Sequence, residues 1–226
     1  MVSRVLACSC AVVLSAAGVA AAAWNAAADF SATNNPNGAW TYGTRAETFS
    51  PDFFPLPSTV TNGDFAGWND AANNVAGTPV VYKNFGPDSA VFGNFPAGRL
   101  AMHPSDTAFG ATANQLVVVV RWTSPIDGDI TVNGTWFGMD SGSKVATVLV
   151  DEGFTSSSAV VGGSTNHAFS LSATVHVGST VDFAVSNFNG FSGDTTGLDA
   201  VIDVVPTPSA AAVLGLGCLA SLRRRR

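Results

Sequence analysis

Apolar and polar residues alternate along much of the second half of the chain. Phe169, Leu171, Ala173, Val175 and Val177 occupy every second position, with polar residues between them. After a turn at Gly178-Ser179, Val181, Phe183 and Val185 repeat the pattern. A period of two marks a strand with one buried face. Leu116 to Trp122 is a long β-branched run and predicts a further strand, closed by a turn at Pro125-Ile126-Asp127-Gly128. Ile130, Val132 and Trp136 then lie on one face of the next strand, with a bulge expected at Asn133-Gly134. Val145 to Val150 and Leu198 to Val205 complete the set. No stretch of the body keeps a helical period. Strands of this length between Gly, Asp and Asn turns predict an all-β fold, an antiparallel β-sandwich of the jelly-roll kind.

The first half is less regular. Residues 31–38 have loop chemistry, and Ala39 to Phe49 reads as a strand or hairpin arm. Residues 50–63 are proline-rich and extended, Asp64 to Asp70 and Thr78 to Asn84 are short strands, and residues 103–113 form a loop. Nothing resembles a linker or a repeat, so residues 24–204 are expected to form one domain.

The two ends differ from the body. Arg4 followed by the apolar stretch Val5 to Ala23 has the pattern of a secretory signal peptide, residues 1–23. Ala20 to Ala23 offers small-residue cleavage sites, and Ala26 to Ala28 extends them to residue 28. At the other end, Ser209 to Leu222 carries no charge and is followed by Arg223, Arg224, Arg225 and Arg226. A helix of those 14 residues would reach only about 21 Å, short of a hydrocarbon core about 30 Å thick. Such a segment inserts transiently better than it anchors, although a plain membrane anchor is the simpler alternative.

The tail, residues 205–226, resembles the PEP-CTERM sorting segment of Gram-negative bacteria. Pro206-Thr207-Pro208 stands for its Pro-x-Pro element, Ala210 to Leu222 for its short hydrophobic transmembrane helix, and Arg223 to Arg226 for its basic terminus. Thr207 replaces the glutamate of that pattern. The resemblance implies transient inner-membrane insertion and secretion, cleavage near the Pro-x-Pro element by an exosortase, and delivery to the cell surface or extracellular matrix.

Processing would change the composition. Cys8, Cys10 and Cys218, the three cysteines, all lie in the terminal segments, so the body must be stable without disulfides. Five of the ten basic residues also lie there, whereas all 16 acidic residues lie between Asp29 and Asp203. The body then carries five basic residues against 16 acidic ones, a net charge of −11. That disfavours nucleic acid and anionic lipid as partners, and no nucleic-acid partner is expected.

No nucleophile elbow, zincin motif, P-loop or Cys/His metal spacing is present. His167 and His176 read as surface residues and His103 as a hydrogen-bonding loop residue. Sugar binding needs aromatic faces with polar neighbours. Trp40 and Tyr42 are two apart and share a face, and Trp68 stands beside Asn69 and Asp70. These three are the candidate ligand contacts, while Trp122 and Trp136 are expected in the core. A structural calcium is an option, with Asp29, Asp194 and Asp199 as oxygen ligands.

A second resemblance spans most of the body. Asp29-Phe30-Ser31 with Asn35 to Gly43, Val120 to Pro125, and Val181 to Phe183 with Asp194 to Asp199 are similar to a β-sandwich module of secreted, PEP-CTERM-tailed proteins, itself similar to carbohydrate-binding jelly rolls. It implies a non-catalytic matrix or surface protein that binds polysaccharide. A structural or adhesive protein working through protein contacts is the second reading. A polysaccharide hydrolase is the third, because glycosidases need two placed carboxylates.

Overall fold

The computed structural model describes residues 23–71, 78–90, 94–106, 116–153, 155–163, 165–187, 190 and 192–206, without the side chains of 155 and 156. The signal-peptide segment 1–22 and the sorting residues Thr207, Pro208 and Arg223 to Arg226 lie outside them; Pro206 is the last described residue.

The chain folds into two antiparallel sheets packed face to face. The larger sheet has the order β12 (Asn166–Val175), β9 (Gly128–Gly138), β14 (Thr196–Val204), β7 (Leu100–His103), β6 (Val80–Asn84), β5 (Phe65–Asn69), β4 (Ser58–Asn62), and β1 (Ala23–Asn25) also pairs with β14. The smaller has the order β11 (Thr155–Gly162), β10 (Ser143–Val150), β13 (Thr180–Asn187), β8 (Val117–Thr123), β2 (Trp40–Arg45), β3 (Phe54–Pro55). From β8 onward the chain repeatedly crosses from one sheet to the other, the connectivity of a jelly-roll sandwich. Among the described residues no helix is long and apolar enough to cross a membrane.

Side chains from both inner faces fill the core. Trp40, Trp122 and Trp136 are fully buried there, with Phe169 and Phe183 between the sheets and the Trp24 ring 5.1 Å from that of Trp122. The β-branched run of β8 is buried on both faces. Val118, Val120 and Trp122 point inward, while Val117 and Val119 pack outside with Leu149, Ala184 and Phe53. Beside them, Asp182 binds both Arg45 and Arg121. Arg45 and Asp182 are inaccessible to solvent, and the Arg121 guanidinium lies 4.0 Å from the Phe53 ring centroid.

Two local expectations are corrected. No bulge occurs at Asn133-Gly134, because β9 pairs residue by residue with β12 and with β14 across this point. Gly134 instead serves packing: a Cβ there would sit 2.4 Å from the Phe169 ring and 2.1 Å from the Asp199 carbonyl oxygen. Val177 lies past the end of β12 and is 65% exposed, so the alternation outlasts the strand. The apolar–polar pattern does not mark strands β1, β7 and β11. The first is hidden in an alanine-rich run, the second is short and buried throughout, and the third is a serine-rich edge.

Candidate functional site

Trp40, Tyr42 and Trp68 do share a side, but it is the inner one. Their relative exposures are 1%, 0% and 7%. Ring faces turned into a core cannot stack on a sugar, so these residues are corrected from ligand contacts to structural ones. Their polar atoms tie down the N-terminal segment. Trp40 Nε1 donates to Asp29 Oδ2 at 3.2 Å, Trp68 Nε1 donates to the Ser31 carbonyl at 2.7 Å, and the Ser31 amide donates to the Tyr42 hydroxyl at 3.2 Å. Burial pushes the Tyr42 phenol up to about 12.

The three aspartates expected at a calcium ion are not gathered. Asp194 precedes β14, Asp199 lies within it, and Asp29 follows β1, which pairs with the far part of β14. Among the described residues no group of three His, Cys, Asp or Glu could hold a metal ion. Near Asp194 the positive charge is a side chain. The buried Lys144 ammonium donates to the carbonyls of Gly142 at 3.1 Å and Gly193 at 3.3 Å, and to Asp140 Oδ1 at 3.4 Å. Among the described residues, neither of the buried Asp194 carboxylate oxygens has a hydrogen-bond donor. Burial, reinforced by Asp140 and opposed by Lys144, raises the Asp194 pKa to about 7. His103 is buried nearby; its pKa is lowered by burial, and its Nδ1 donates to the Pro104 carbonyl at 2.7 Å.

An open groove lies elsewhere, along one edge of β14 in the larger sheet. Two strands share one edge of β14: β7 pairs with residues 196–198 and β1 with residues 201–203. Where they part, a notch of about 360 Å³ opens, lined by Asn25, Lys83, Arg99 and Asp199 among others. Across Arg99 a second hollow of about 430 Å³ is lined by Asn94, Phe137 and Asn166. Both volumes fall in the usual range for small-molecule sites.

Arg99 joins the two. It follows the turn residue Gly98, whose φ is +74°, a backbone conformation that favours glycine. Its side chain crosses β14 at Gly197. A Cβ on Gly197 would lie 3.1 Å from both Arg99 Cδ and Phe137 Cβ, so the glycine leaves room for the crossing. The guanidinium then rests on Phe137, 3.5 Å from the ring centroid. Stacking of this kind holds a guanidinium by one face and leaves its N–H edges available. Burial lowers the Arg99 pKa, and the nearby Asp199 charge opposes that. Lys83 donates to the Ala27 carbonyl at 2.5 Å, with its ammonium 5.4 Å from the centroid of the exposed Phe85 ring.

Sequence reasoning passes over Arg99, Phe137 and Lys83. The scarcity of basic residues in the body is the available signal, since each of the five needs an explanation.

The sequence matches no protein-family model and no curated protein. The solved structures it resembles include carbohydrate-binding modules. One is the CBM36-1 domain of a multidomain xylanase from the hindgut metagenome of Trinervitermes trinervoides, at 8% identity and TM-score 0.32 over 75% of this chain and 99% of that one. Another is CBM36 in complex with calcium and xylotriose, at 14% identity and TM-score 0.29 over 47% of this chain and 79% of that one. A third is a family 35 module from Clostridium thermocellum, at 14% identity and TM-score 0.27 over 38% of this chain and 70% of that one. Scores at this level carry no argument about what this chain binds.

Proposed function

We propose that the chain is an exported, exosortase-sorted surface or matrix protein whose sandwich binds polysaccharide, without catalysis, in the groove bridged by Arg99. One observation carries the binding reading: a guanidinium held flat on Phe137 across Gly197, in an open groove flanked by the amides of Asn94 and Asn166. Sugars present hydroxyls in fixed directions, and a positioned guanidinium with flanking amides supplies matching donors and acceptors. Binding is favoured over hydrolysis because the described lining holds a single carboxylate, Asp199, and a glycosidase uses two.

Two features support the processing part. Strand β1 pairs with β14 and brings Trp24 onto Trp122, which favours signal-peptide cleavage no later than after Ala23 rather than as late as residue 28. Val205 and Pro206 are exposed where the chain leaves β14, which suits access of a sorting protease to the start of the Pro-x-Pro element. Lys144 supports stability without calcium, since it already supplies the cation beside Asp140 and Asp194.

The full chain and its Arg99→Ala variant are to be tested against immobilised polysaccharides, including the producer's own exopolymer. Saturable binding to one class, weakened in the variant, is expected. A folded chain that binds none would overturn the reading in favour of a structural or adhesive role. Mass spectrometry of the cell-surface form checks both ends: a start at or before Trp24 and a terminus near Pro206 are expected, and a start beyond Trp24 would contradict the first.

A further inference from the structure

Resting on the polysaccharide reading, we infer that the groove selects a polymer of carboxylated sugars, with Arg99 as the carboxylate-binding residue and Lys83 as its electrostatic support. Positive charge is scarce in the body and mostly committed. There are five basic side chains: Arg45, Lys83, Arg99, Arg121 and Lys144. Arg45 and Arg121 are both committed to Asp182, and Lys144 to Asp140. Among the described residues, Arg99 and Lys83 have no carboxylate at ion-pair distance, and these two line the same notch.

Such a placement suits an anion. The body carries 16 acidic residues, so most of its surface repels an acidic polymer. Arg99 and Lys83 both line the notch, with Asp199 as the opposing charge on Arg99 and Asp29 as that on Lys83; neither carboxylate is at ion-pair distance among the described residues, so both cations keep donors for an anion. The arginine is also prepared geometrically. With one face of the guanidinium on Phe137, its in-plane N–H pairs point away from the ring, the arrangement for bidentate capture of a carboxylate. Lys83 commits one donor to the Ala27 carbonyl and lines the notch with Arg99. Asn94 and Asn166 lie beyond Arg99, placed for the hydroxyls of a neighbouring sugar.

The test separates charge from sugar. The full chain is titrated with oligomers of galacturonate, glucuronate and mannuronate, each beside its methyl ester, at low and physiological salt. At least one acid should bind, and its ester should bind roughly 10- to 100-fold more weakly, the worth of a charge-assisted pair. Arg99→Ala should lose a similar factor, Arg99→Lys should retain part of it, and Asp199→Asn should tighten binding. Gly197→Ala, which crowds the crossing of Arg99 over β14, should weaken the acid more than the ester. Acid and ester binding equally would overturn the inference while leaving the polysaccharide reading standing. If neutral polymers bind and no acid does, the inference fails in the same way. A folded chain that binds neither acids nor neutral polymers overturns both.

Discussion

Asp194 offers a measurable consequence of burying a charge without a donor. Its carboxylate oxygens are inaccessible and receive no hydrogen bond from the described residues, beside one ammonium, Lys144, and a second carboxylate, Asp140. Its pKa rises from 3.8 to about 7 on folding, chiefly through burial. Between those values the folded state holds a proton that the unfolded state has released. By linkage, stability then falls as pH rises through this window, and the whole penalty is present above the folded pKa. A rise of that size corresponds to roughly 4 kcal/mol, an upper figure because the neighbouring charges share it. Asp194→Asn keeps the shape, removes the ionisation, and leaves Lys144 balanced by Asp140 alone. The variant should therefore be more stable than the parent by about 1–4 kcal/mol at pH 8.5 and within about 0.5 kcal/mol of it at pH 4. Urea denaturation followed by tryptophan fluorescence at both pH values checks this. A variant less stable than the parent at pH 8.5, or one whose effect is the same at both pH values, would rule out a destabilising ionisation at this position.

Other perturbations follow from the packing. Asp182→Ala leaves the buried Arg45 and its neighbour Arg121 without their shared counterion, and should cost about 3–5 kcal/mol in urea denaturation. Gly134→Ala forces a methyl group against Phe169 and the Asp199 carbonyl, and should cost about 1–3 kcal/mol by the same assay. Because Lys144 supplies the cation beside Asp140 and Asp194, a chelator should leave Tm unchanged; a fall of several degrees, restored by calcium, would show a bound metal.

Strands and their sidedness are legible in the chain wherever polarity alternates. Val181, Phe183 and Val185 face the core as their period of two requires, and Trp122 and Trp136 are buried where the apolar strands placed them. Alternation is a local property, so it survives without knowledge of the partner strand. Sidedness is also legible for Trp40 and Tyr42, which share a face, but which face turns inward depends on the opposite sheet. The groove, by contrast, is a product of long-range assembly. The notch exists because β1 and β7, distant in the chain, take successive parts of one edge of β14. Arg99 reaches Phe137 because the register sets Gly197 between them, and Lys144 reaches the Gly193 carbonyl from 49 residues away. Strand order and register come from pairing between remote segments, which a pattern of apolar and polar positions along one strand does not encode.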